Sequence, residues 1–267
     1  MISLGIFVLI CCLVLSLLLV VGSIRLKIPR KVSIQGIDDP NAVETYDRIS
    51  RLPQFRLIRR SFVKKLENYK VKGSITDVGC GPGYLLQTLA RELPEIKLIG
   101  VDVSKEMIER AKANFNSQGL AGRAEFKEGS SEHLPFENQT QDFIVSTGAL
   151  HHFADPTSAF NEIYRVLKPG GQMLMLDFRR DAQWFFFGFI RFVQNVALRI
   201  MGLNALSRIN EPTGSLLASY TKEEIREIMS KSDFSTWIIE GKLSWIYIWG
   251  RKTGTLNIRK SQRDEKG

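Results

Sequence analysis

Cysteine is scarce in this 267-residue chain: there are three, too few for a disulfide framework, and Cys11 and Cys12 both lie inside an apolar run. The third, Cys80, sits in a glycine-rich turn with no His/Asn partner pattern, and reads as a small packing residue. Of three histidines, none has the Cys/His spacing of a zinc site, and nothing resembles a Ser-His-Asp arrangement, so no metal is expected. Charge is missing altogether from residues 4–21, 18 residues rich in Leu, Val and Ile and just long enough to span a bilayer. The run has no Lys or Arg before it and no clear small-x-small site after it, which favours a retained anchor over a cleaved signal, although Gly22-Ser23 offers a poor cleavage site. A buried helix of the domain is the other alternative, but an uncharged run of this length would be hydrophobic all round. Arg25, Lys27, Arg30 and Lys31 follow at once, and the positive-inside rule keeps that side in the cytoplasm. The expectation is a single-pass membrane protein with an anchor at 1–22 and its main domain cytoplasmic.

The formal net charge of +9 is local. Residues 25–72 hold 13 Lys/Arg against 5 Asp/Glu, a net of +8, so the rest of the chain is nearly neutral. No recognition motif accompanies this charge, and nucleic acid is not an expected partner. Beside an anchor it suits a solvated face or anionic lipid headgroups. Residues 23–40, with Pro29, Gly36 and Pro40, read as a linker. Asn41 is placed to cap a helix reaching about Arg51, and a second helix follows Pro53 to about Tyr69. Its apolar positions Phe55, Ile58, Phe62, Leu66 and Tyr69 keep helical spacing, with Arg56, Arg60 and Lys64 on another face and Arg59 and Lys65 alongside.

Residues 75–85 read Ile-Thr-Asp-Val-Gly-Cys-Gly-Pro-Gly-Tyr-Leu. A β-branched run ends in Asp77, glycines follow at 79, 81 and 83, and a helical pattern comes next. This is a buried strand, a tight turn and a helix N-terminus, the arrangement that lets backbone amides approach a nucleotide-like ligand. Nineteen residues past Gly83 a second apolar strand ends in Asp102, placed to accept hydrogen bonds from ribose hydroxyls. The turn also suits NAD and FAD, but its pattern is G-x-G-x-G, with Tyr84 where a dinucleotide fold has its third glycine. Asp77 would repel a pyrophosphate and suits a ligand bearing an ammonium and a sulfonium.

This unit resembles motif I of the class I S-adenosylmethionine (SAM)-dependent methyltransferases, in the branch that includes the ubiquinone/menaquinone C-methyltransferases. The likeness continues through Val103-Ser104-x-x-Met107 and through residues 129–136, Gly-Ser-Ser-Glu-His-Leu-Pro-Phe, which resemble that family's adenine-pocket segment with Ser130 where an Asp is usual. It extends through a fourth strand at residues 142–146, the Ala-Leu-His-His-Phe-x-Asp-Pro segment at 149–156, and Glu162-x-x-Arg165 with the Pro-Gly-Gly stop at 169–171 before a fifth strand at 172–177. Five segments in order cover roughly residues 42–180 plus the terminal strand pair. The resemblance implies an α/β fold, a Rossmann-like seven-stranded, mostly parallel sheet with helices on both faces and an antiparallel last strand, over residues 41–252. The terminal hairpin is expected at 235–240 and 243–250, turning at Gly241-Lys242, and residues 253–267 as a disordered tail.

Residues 178–220 stand apart: from 184 to 206 only Arg191 and Arg199 are charged, and Arg191, Asn195 and Arg199 form a narrow stripe beside Phe185, Phe186, Phe189, Phe192, Val193, Val196 and Ile200. Two arginines disfavour a second span. A hydrophobic lid or membrane-contact insertion is expected there, with an ordinary core helix as the alternative.

The resemblance implies SAM as cofactor, with Asp77, Gly79, Gly81 and Gly83 around its methionine portion, Asp102 on its ribose and Val103, Ser130 and Ser131 near its adenine. Ser146 and Thr147 lie at a strand's C-terminal end, where open α/β sheets bind ligands. A phenolic or enolic acceptor needs a base, and His151, His152 and Asp177 are the candidates, with a packing role for the histidines as the alternative; His133 reads as a rim or surface residue. The anchor, the aromatic insertion and the similarity to quinone methyltransferases suggest a lipophilic small-molecule acceptor, with a soluble metabolite or a protein as the alternatives and membrane lipid as a further partner. Two rivals stand beside this reading. One is a membrane scaffold that binds SAM without turnover. The other is an NAD(P)-dependent reductase, for which Tyr164-x-x-x-Lys168 has the Tyr-Lys spacing.

Overall fold

A computed structural model describes residues 28–32, 38–181, 192, 213–254 and 261–262. The expected anchor at 1–22, most of the apolar insertion and most of the tail lie outside the described residues. Among the described residues no helix is long and apolar enough to cross a membrane.

The elements in chain order are α1 (Pro40–Ser50), α2 (Pro53–Leu66), β1 (Ser74–Val78), α3 (Tyr84–Glu92), β2 (Lys97–Asp102), α4 (Lys105–Ser117), β3 (Ala124–Glu128) and β4 (Gln141–Thr147). They continue with α5 (Pro156–Val166), β5 (Leu167–Phe178), α6 (Thr213–Ala218), α7 (Lys222–Lys231), β6 (Thr236–Lys242), β7 (Trp245–Arg251) and β8 (Ser261–Gln262). One sheet runs β3-β2-β1-β4-β5-β7-β6-β8. β1 to β5 are parallel, and β7 is antiparallel to both β5 and β6. The seven expected strands are joined by a two-residue eighth, in which the tail pairs with β6 at Ser261 and Gln262.

Burial on both faces explains the apolar strands. In β5, Met173 and Met175 enter a core with Phe160 and Ile163 of α5 and Ile225 and Met229 of α7, whereas Leu174 and Leu176 join Phe62 and Leu66 of α2 and Leu86 and Leu89 of α3. Alternate side chains of a strand point to opposite faces, so one strand serves both cores. The chain moves outward in one direction from β1 to β3 and in the other from β4 to β5. Loops leaving β1 and β4 therefore diverge, which opens a crevice at the strands' carboxyl ends.

Several local expectations are corrected. The cap of α1 is Asp39, whose carboxylate accepts from the Ala42 amide at 3.1 Å; Pro40 takes the first helical position and Asn41 falls inside the turn. β5 begins at Leu167, ahead of the Pro-Gly-Gly segment, with a register irregularity opposite β4. The terminal hairpin turns at Leu243 and Ser244, and Leu243 adopts φ 45°. Gly241 belongs to β6, where a Cβ would collide with the Arg179 guanidinium. Its lack of a side chain serves close packing rather than a turn. The basic face of α2 divides: Lys65 bonds Glu240 at 2.7 Å and Arg59 the Ser50 carbonyl at 2.8 Å, while Arg56, Arg60 and Lys64 remain exposed.

Candidate active site

The crevice is lined by residues following four successive parallel strands. Gly79 and Gly81 follow β1, Asp102 and Val103 end and follow β2, Gly129 to Ser131 follow β3, and Gly148, Ala149, His152 and Phe153 follow β4. Tyr46 of α1 and Met107 of α4 complete it.

The glycines have different duties. The Gly79 amide donates to the Val101 carbonyl at 2.8 Å, with φ +74°, and a Cβ there would lie 2.5 Å from the Ala149 Cβ. Gly79 thus lets the walls after β1 and β4 approach. Gly83 caps α3, and its missing Cβ leaves room for Ala111 and Phe115 of α4, so it serves packing and does not line the crevice. Gly79→Ala is expected to destabilise the fold by about 2 kcal/mol or more, from positive φ and the contact together. Chemical denaturation of the single variant and of Gly79→Ala with Ala149→Gly tests this. Partial recovery in the double variant assigns the remaining loss to backbone strain.

Two carboxylates lie beneath this loop. Asp102 accepts from the Gly81 amide at 2.8 Å and the Ser104 amide at 3.0 Å, which ties the glycine turn to the end of β2. Burial raises its pKa against the pull of those amides. Asp77 is 1% exposed, and its Oδ1 has no hydrogen-bond partner among the described residues. Burial, helped by the neighbouring Asp102 charge, pushes its pKa to about 8. A buried acid short of a partner suits a cationic group delivered by a ligand. Cys80 is buried in the core and burial raises its thiol pKa well up, so it holds no reactive thiolate.

On the opposite wall Ser130 pairs with His133, its hydroxyl accepting from the His133 amide at 3.1 Å, and Ser131 is buried at the lining. Ser146 and Thr147 are not in the lining. The buried Ser146 hydroxyl donates to the Val78 carbonyl at 2.7 Å, which staples β4 to β1.

Behind His152 stands a buried pair. His151 Nδ1 lies 2.8 Å from Asp177 Oδ1, and Asp177 also accepts from the His151 amide at 2.9 Å and the Phe178 amide at 2.7 Å. Both side chains are 2% exposed. The carboxylate holds Nδ1 as the protonated nitrogen. The His151 and His152 rings are 4.1 Å apart, and only His152 reaches the crevice. Tyr164 and Lys168 form no pair there. Lys168 bonds Asp142 at 2.7 Å, near the amino end of β4, and Tyr164 packs on Phe234. The geometry required of a reductase Tyr-Lys pair is absent from the crevice.

Sequence reading did not assign Tyr46, Val78, Met107, Gly148, Ala149 or Phe153 to the site, and placed Gly129 there only as part of the 129–136 segment. Tyr46 is placed by its neighbour Asp47, 1% exposed, which accepts from Arg51 at 2.6 Å, the Tyr84 hydroxyl at 2.8 Å and Asn114 at 2.7 Å. Asn114 also bonds the Pro82 carbonyl at 3.0 Å, so α1, the glycine turn and α4 are locked together. Tyr84, which replaces a third glycine, is the hook for α1. An acid on a polar helix carries no sign in sequence that it will be buried.

Residues 75–171 match a family model described as a methyltransferase domain. The chain is 34% identical over 137 residues to a ubiquinone/menaquinone biosynthesis C-methyltransferase of Geotalea daltonii, covering 50% of this chain and 58% of that protein. A demethylmenaquinone methyltransferase of Lactobacillus johnsonii is 29% identical over 160 residues, covering 58% of this chain and 65% of that protein. Less than two thirds of either relative is therefore spanned. In fold, a SAM-dependent methyltransferase from Aquifex aeolicus aligns over 80% of this chain and 99% of its own with a TM-score of 0.57 at 20% identity.

Proposed function

We propose that the protein, whose residues 75–171 match a methyltransferase-domain model, is a class I enzyme that transfers a methyl group from SAM to a lipophilic small molecule at a membrane, from the cytoplasmic side. The observation that carries the cofactor half is the buried Asp77, whose Oδ1 has no hydrogen-bond partner among the described residues, beside the glycine turn and Asp102. Asp77 takes the ammonium of the methionine portion, and Gly79 and Gly81 let it lie close to the backbone. Asp102 keeps acceptor capacity for the ribose hydroxyls beyond the amides of Gly81, Val103 and Ser104, since an ionised carboxylate has about four acceptor sites. Val103, Ser130 and Ser131 surround the adenine. When bound, the cofactor supplies a methyl carbon already activated by its sulfonium.

The protein's own work is alignment and exclusion of water. The acceptor's lone pair forms the new bond to the methyl group as the carbon–sulfur bond breaks, and the acceptor then gives up a proton. His152 lines the crevice and is placed to take that proton. Asp177 and His151 hold the wall behind it, and Tyr46 covers the cofactor side. The lipophilic acceptor rests on the apolar runs at 4–21 and 184–206 and on the quinone-type relatives.

Membranes containing the full-length protein and methyl-labelled SAM test both halves. Label in the lipid extract is expected, reduced about tenfold or more by His152→Ala with cofactor affinity unchanged. Label confined to the aqueous or protein fraction sinks the lipophilic acceptor but keeps the transferase. SAM binding with no label in any fraction moves the protein to the scaffold reading.

A further inference from the structure

The segment between the expected anchor and α1 reads in sequence as a linker, yet Ile28, Arg30 and Lys31 are built into the fold. Arg180, 4% exposed, donates to the Ile28 carbonyl at 2.6 Å while also bonding the Ser219 carbonyl and Glu224. Arg30 donates from Nε to the Ala218 carbonyl at 2.6 Å, and its guanidinium lies 4.1 Å above the Tyr220 ring. The Lys31 amide donates to the Leu217 carbonyl at 3.0 Å. A buried arginine needs several acceptors to offset its desolvation, and one of those met here belongs to residue 28. These contacts form a strap along the end of α6.

The strap lies beside the crevice. Arg30 Nη2 reaches the His151 carbonyl at 3.4 Å, and the next residue, His152, lines the crevice. We propose that residues 28–31 set the carboxyl-end face of the sheet, with the crevice mouth, against a lipid bilayer that this face contacts. The inference rests on the membrane reading above and adds an orientation to it. The uncharged run ends at Val21, seven residues before Ile28, so an extended chain spans at most about 24 Å between bilayer and strap. Val32, just past the strap, is 79% exposed, an apolar side chain at the position the strap points outward. Lys31 is exposed beside it and Arg25 and Lys27 precede it in sequence, a basic set that complements anionic headgroups. An acceptor dissolved in the bilayer then has a short path to His152.

The test uses full-length protein in vesicles of mixed zwitterionic and anionic phospholipid, with a photoreactive residue at Val32 or at Glu95, which is exposed before β2 at the sheet's other end. Lipid cross-linking at Val32 is expected to exceed that at Glu95 at least fivefold, and Arg30→Glu should bring it down towards the Glu95 level while the protein still sediments with vesicles. Equal labelling at both positions, or cross-linking of Val32 to a second copy of the chain, overturns the orientation but leaves the membrane reading standing. Failure to sediment with vesicles overturns both.

Discussion

Replacing Asp102 by alanine is expected to weaken SAM binding about a hundredfold or more, because one side chain carries two duties. Its carboxylate receives the Gly81 amide at 2.8 Å and the Ser104 amide at 3.0 Å, so removing it frees the glycine turn and loosens the start of α4. It also removes the acceptor for the ribose hydroxyls. Hydrogen bonds to a charged group contribute roughly 1.5–3 kcal/mol each, and losing about 3 kcal/mol corresponds to a factor near a hundred. Calorimetric titration with the demethylated cofactor product measures the change. Asp102→Asn provides the control: its amide oxygen keeps one acceptor, so an intermediate loss is expected. Full affinity in the alanine variant would remove Asp102 from the cofactor site.

The second large effect is a pH dependence carried by Asp77. With its pKa raised from 3.8 to about 8 by burial, the acid keeps its proton in the empty protein at neutral pH. In the unfolded chain it ionises near 3.8, so between about pH 4 and pH 8 the folded state holds the extra proton. Its contribution to stability is fully present below the unfolded value and is lost as pH rises through the folded one. Cofactor binding has the opposite sign. An ammonium requires the ionised carboxylate, so binding releases the proton, and affinity should rise by up to about tenfold per pH unit from pH 6 towards 8. Above that the ligand's own α-amino group begins to lose its proton and the rise stops. Asp77→Asn should abolish the slope, weaken binding at pH 8 by at least about tenfold, and stabilise the empty protein at pH 8 relative to the wild type. Titrations at four pH values, with thermal unfolding alongside, give both readouts. A wild-type affinity independent of pH would mean that Asp77 does not face the ammonium.

The parts of this site legible in sequence are those whose chemistry is local. A turn closed within five residues needs its glycines at fixed spacing, and Gly79, Gly81 and Gly83 announce it. Asp102 follows from the strand–helix–strand length, and β5 shows as an apolar run because it is buried on both faces. Within that local frame, assignments of purpose still went astray. Gly83 proved to serve helix packing and Ser146 a strand staple, because each depends on what a neighbouring element places against it. The hairpin turn moved from Gly241 to Leu243 for the same reason, with Arg179 occupying the space beside Gly241.

By itself the sequence determined the parallel α/β sheet, the glycine turn with its two acids, the position of His151 and His152 after β4, and the strongly apolar character of residues 4–21 and 184–206. These are properties of adjacent residues: period, turn chemistry, charge and length. Only the tertiary structure decided that His152 meets the crevice while His151 turns back onto Asp177, that Asp47 hooks α1 and Tyr46 over the cofactor side through Tyr84, and that a linker is a strap held by Arg180. Those outcomes pair residues between 26 and 152 positions apart. Such pairings are set by which backbone carbonyls and carboxylates the fold leaves buried and in need of a donor, and no local pattern records that need.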